Sequence, residues 1–119
     1  DSLTAVRTIV HLSSILRALH DLKTLHRLSA WSVLPERYGM LRADLVALRA
    51  SRPQLDNQQR SVLQATIHHL SNLEVTVDRL RGPTGVQPEI HRINAVISDQ
   101  IDQLTELLVE LQREEASHG

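Results

Sequence analysis

Cysteine and phenylalanine are both missing from this 119-residue chain, which holds a single Trp (Trp31), a single Tyr (Tyr38) and a single Met. Without Cys there is no disulfide framework and no thiolate metal site. Without an aromatic set there is no stacking platform for RNA or single-stranded DNA, and a sheet would lack its favoured residues. The net charge of −1 leaves no basic footprint, so nucleic acid is not an expected partner. No basic helix face offers itself to a membrane surface, and no apolar run approaches the roughly 18 residues a spanning helix needs. A chain that opens on Asp1 with no leader-like segment is expected to be a processed piece of something longer.

What the chain does have is aliphatic residues at helical spacing, interrupted by few Gly and Pro (four of each). A length near 120 residues fits one domain, here taken as 1–119. Four amphipathic segments follow from the periodicity. The first covers about 2–30, with Val6, Ile9, Leu12, Ile15, Leu16, Leu19 and Leu22 as its stripe. The second covers about 35–50, opened by Pro35, with Leu34, Tyr38, Leu41, Leu45 and Leu48 repeating 4-3-4-3. The third covers about 54–81, with Leu63, Ile67, Leu70, Leu73, Val77 and Leu80, and is stopped by Gly82-Pro83. The fourth covers about 88–115, with Ile90, Ile97, Ile101, Leu104, Leu108 and Leu111. Short connections make neighbours antiparallel, so the expected fold is all-α, an antiparallel up-down-up-down four-helix bundle with Asp1 and Gly119 at one end.

Chemistry is sparse in this pattern. The seven His residues diverge in direction along their helices, and neither His-x-x-x-His nor His-Glu-x-x-His occurs. They read as solvated or boundary residues, with no metal expected. There is no Gly-x-Ser-x-Gly elbow and no phosphate-cradling glycine loop. No catalytic residue and no cofactor are therefore expected, and the chain reads as a non-enzyme. Asn94 stands out at the heptad position between Ile90 and Ile97, where a polar side chain can set register or partner number. If it is an unrelieved polar burden there, Asn94→Leu should stabilise the fold. Arg42 on the second helix, with Arg79 and Arg81 closing the third, could grip a small anion in a groove between helices.

The stretch Leu19-His20-Asp21-Leu22-Lys23-Thr24-Leu25-His26-Arg27-Leu28-Ser29-Ala30 resembles the first-helix motif of nitrate- and nitrite-sensing helical domains, of the form Ile-His-x-Leu-Gln-x-Glu-Arg-Gly-x-Ser-Ala. His20, Leu22, Leu28, Ser29 and Ala30 stand in register with it. Lys23, Leu25, His26 and Arg27 occupy the positions of its Gln, Glu, Arg and Gly. Leu41-Arg42-Ala43-Asp44 and Val77-Asp78-Arg79 are similar to parts of the family's second and third helices. The resemblance implies a periplasmic sensor domain of a bacterial inner-membrane receptor, set between two flanking membrane helices. Such a domain works as a homodimer and couples binding of a small anionic ligand, or a dimer rearrangement, to a shift of the fourth helix against the first. The ligand-binding candidates are His20, Arg42, Arg79 and Asn94. The alternative is a cytoplasmic helical scaffold or adaptor that offers a groove to a partner helix.

Overall fold

The computed structural model describes residues 2–51, 55–80 and 87–118. They form four helices: α1 (Ser2–Arg27), α2 (Leu34–Arg49), α3 (Asn57–Leu80) and α4 (Gln87–His118). No strand occurs among the described residues. α1 packs chiefly on α4 and α2 on α3, with thinner α1–α2 and α3–α4 seams, which places α1 diagonal to α3 and α2 diagonal to α4. The chain is thus an all-α four-helix bundle, 53 Å long and about 20 Å across.

The apolar stripes account for this packing. All five residues of the α2 stripe, Leu34 to Leu48, are buried. They join Leu12, Leu19 and Leu22 of α1, Leu63, Leu70 and Leu73 of α3, and Ile97, Leu104 and Leu111 of α4 in one core. Ile93 and Leu107, outside the expected α4 stripe, are buried as well. Val6 belongs to the α1 stripe by spacing but is exposed, as are Leu3 and Val10 on the same helix.

Helix ends differ from expectation where the local chemistry was less obvious. α1 stops at Arg27, not near Ala30, because Ser29 adopts a left-handed φ of 53°. The Ala30 N–H then reaches Leu25 O and the Ser29 N–H reaches His26 O, a Schellman closure with Ser where Gly is usual. α3 begins at Asn57, later than the expected start near Gln54, a residue outside those described. Asp56 and Gln59 form its capping box: the Gln59 N–H donates to Asp56 Oδ1 at 2.8 Å, and the Asp56 N–H to Gln59 Oε1 at 3.0 Å. α4 runs to His118, three residues beyond the expected end. Asp1, Arg81, the Gly82-Pro83 stop and Gly119 lie outside the described residues.

Candidate functional site

One end of the bundle's core carries a buried polar chain. His26 sits one turn beyond Leu22 on the α1 stripe and is fully buried, which corrects the expectation of a solvated or boundary histidine. Asn94, on the first turns of α4, is also buried. Its Nδ2 donates to the Lys23 carbonyl at 3.2 Å, and this fixes the amide so that Oδ1 faces the imidazole. His26 Nδ1–H then donates to Asn94 Oδ1 at 3.1 Å, and Nε2 is left to accept the Tyr38 hydroxyl at 2.9 Å. Three helices are joined by one directional chain: Tyr38 (α2) to His26 (α1) to Asn94 (α4) to the α1 backbone.

Burial holds His26 below its ordinary 6.5, with the Asn94 bond pulling the other way. Burial, and then the nearby charge of Glu74, pushes Tyr38 above its ordinary value. Both groups are therefore neutral at pH 7, as the hydrogen-bond directions require. The chain is satisfied, so Asn94 is not an unrelieved burden. Replacing it with Leu would leave the His26 Nδ1–H buried and unpaired, and that loss reverses the expected gain in stability.

The two ends of the chain open on opposite sides of the bundle. Asn94 lines a cleft of about 410 Å³ between α1 and α4, together with Lys23, Arg27, Ile90, His91, Ala95 and Ser98. Its walls carry two fixed positive charges, a histidine, an amide and a hydroxyl, and no acidic residue. Tyr38 lines a cavity of about 510 Å³ between α2 and α3, with Pro35, Arg42, Ser71, Glu74, Val75, Val77, Asp78 and Arg79. Arg42 Nη2 donates to Glu74 Oε1 at 3.0 Å, and its Nε approaches Oε2 at 2.9 Å as an ionic contact without good hydrogen-bond alignment.

Of the four candidate residues, Arg42 and Arg79 share the α2–α3 cavity, Asn94 lines the α1–α4 cleft, and His20 is exposed on α1 and lines neither. Arg42 and Arg79 are matched there by Glu74 and Asp78, so that cavity is not electropositive. His26, Lys23 and Arg27 were missed. His26 was legible, since Leu12, Leu19 and His26 keep a seven-residue spacing; Lys23 and Arg27 gain meaning only beside Asn94. Among the described residues no group of three or more His, Cys, Asp or Glu is placed to hold a metal ion, and no helix is long and apolar enough to cross a membrane. Comparison of the chain with protein-family models, with curated proteins and with solved structures finds no match.

Proposed function

We propose that this chain is a non-catalytic sensor domain that binds a small anion in the α1–α4 cleft and converts binding into a shift of α4 against α1. The observation that carries this reading is the acid-free, basic cleft between those two helices, with the buried Asn94 amide at its base. An anion there would gain charge-assisted contacts from Lys23 and Arg27 and sit near the N-terminus of α4, where the helix dipole favours negative charge. The second Nδ2 hydrogen of Asn94 is not used by the Lys23 carbonyl, and the His26 chain holds the amide in place.

The reading includes an antiparallel up-down-up-down order, and several cross-helix bonds support it. Arg42 at the middle of α2 meets Glu74 late in α3, while Arg49 at the end of α2 bonds Gln64 earlier in α3. Gln59 at the start of α3 donates to Glu110 late in α4 at 2.8 Å, and Thr66 to Gln100 at 2.9 Å. His26 at the end of α1 meets Asn94 near the start of α4. In this order the first and last helices leave the bundle at one end, as membrane helices flanking a periplasmic domain of a bacterial receptor require. Leu3, Val6 and Val10, exposed at 3-4 spacing on α1, would serve the homodimer that the reading entails. The same row would equally serve a partner helix, and it keeps the cytoplasmic adaptor as the second reading.

Titration calorimetry with nitrate, phosphate and acetate tests the anion site. At least one of them should bind the wild-type chain and lose about tenfold in affinity, or roughly 1.4 kcal/mol, in Lys23→Gln and Arg27→Gln. No binding of any anion, or binding indifferent to both substitutions, would remove the sensor reading and leave the adaptor in front.

A further inference from the structure

The α2–α3 cavity differs in kind from the α1–α4 cleft. Its volume, about 510 Å³, falls in the range of small-molecule sites. Its exposed apolar surface comes from Pro35 and from Val75, which is 55% exposed, with the buried Val77 and Tyr38 ring lining it behind them. Its charges are balanced, two positive and two negative, but they are not equally engaged. Arg42 and Glu74 are committed to each other. Asp78 and Arg79 are exposed and make no hydrogen bond or ion pair with any other described residue. Among the described residues, one anion and one cation without a partner thus flank an apolar surface, beside a tyrosine whose hydroxyl proton is already given to His26.

We propose that this cavity is a binding site for a small zwitterion with an apolar side chain, the chemistry of a free aliphatic α-amino acid. Arg79 takes the carboxylate, with the planar fork that a carboxylate matches. Asp78 takes the ammonium, with the Arg42-paired Glu74 adding negative potential one helical turn away on the same face. The side chain covers Val75 and Pro35, both exposed, which removes apolar surface from water. An anion alone is disfavoured because Asp78 and Glu74 face it, and a cation alone because Arg42 and Arg79 do. The site is separate from the anion cleft and does not depend on it. A ligand pressing on the Tyr38 ring would reach that cleft only through His26.

Calorimetry on the full chain with L-leucine is the test, with 4-methylpentanoate (no ammonium) and 3-methylbutylamine (no carboxylate) as controls. L-leucine should bind saturably, and each control should bind at least about tenfold more weakly. Asp78→Asn and Arg79→Gln should each weaken L-leucine about tenfold without loss of helical circular dichroism, since both side chains are exposed. Lys23→Gln should leave L-leucine binding intact, so the two sites can fail separately. No saturable binding of L-leucine up to about 10 mM, well above the millimolar affinity of a weak site, would overturn the proposal. So would controls that bind as well as L-leucine, or binding indifferent to Asp78→Asn and Arg79→Gln.

Discussion

Among the described residues, the Thr66–Gln100 pair and the His26 chain are polar contacts buried between helices, and they are built to different ends. Midway along α3 and α4, Thr66 donates to Gln100 Oε1 at 2.9 Å. It is a pairing of two neutral groups on two helices, and none of the cavities described above opens on either residue. Nearer the α1–α2 turn, His26 ties three helices, sits between two openings to solvent, and holds a group that can acquire charge. A neutral pair of the first kind fixes register and little else. The second kind makes the packing of α1, α2 and α4 depend on one imidazole, so whatever disturbs that ring is felt on three helices at once.

The sharpest way to break this contrast is His26→Ala. It removes a fully buried ring and strands both the Tyr38 hydroxyl and Asn94 Oδ1, which should cost about 3 kcal/mol or more in urea unfolding. Asn94→Leu should come next, destabilising by about 1–3 kcal/mol through the unpaired Nδ1–H. A gain in stability there would mean that the imidazole finds another partner. Acid offers a milder route. The fold holds His26 below 6.5, so as the pH falls from about 6.5 the unfolded chain takes up a proton that the folded chain refuses. Stability contributed by the neutral ring is therefore present above pH 6.5 and is lost as the pH drops toward the lowered value. Urea midpoints of the wild type should fall over that window, and His26→Gln should flatten the fall. Thr66→Val should cost only about 1 kcal/mol, and Thr66→Val with Gln100→Leu close to nothing, because both partners leave together. If the double replacement costs as much as His26→Ala, the two contacts are not different in kind.

Much of the bundle was legible because aliphatic spacing reports directly on burial. The α2 stripe is complete, from Leu34 to Leu48. Ends were harder. Ser29 carries a backbone conformation that residue identity does not announce, since Gly is the usual occupant. Asp56-x-x-Gln59, by contrast, is a capping signal readable in the sequence, and it places the start of α3 after Gln54. At the site, heptad spacing singled out Asn94 and could have singled out His26. Nothing local tells that Arg42 meets Glu74 thirty-two residues away, or that Lys23 and Arg27 face His91. Those neighbours are made by the packing of helices, and the charge balance of each cavity follows from them. A small gain is predicted at the backbone: Ser29→Gly should raise stability by up to about 1 kcal/mol in the same urea assay, as the left-handed strain is relieved.

The length of α4 has a mechanical side. At 32 residues it is a rod of about 48 Å at 1.5 Å per residue, almost the full 53 Å of the molecule. Asn94 lies seven residues from one end and twenty-four from the other. If the contact at Asn94 acts as a fulcrum, the long arm measures about 36 Å and the short arm about 10 Å. A displacement of half an ångström at the Gln87 end would then swing the His118 end by nearly 2 Å, a gain of about three and a half set by where Asn94 falls along the rod. Moving the polar contact one turn toward the middle of α4 would reduce that gain to about two, so on such a pivot the placement of one amide near the helix start would set the leverage of the whole element.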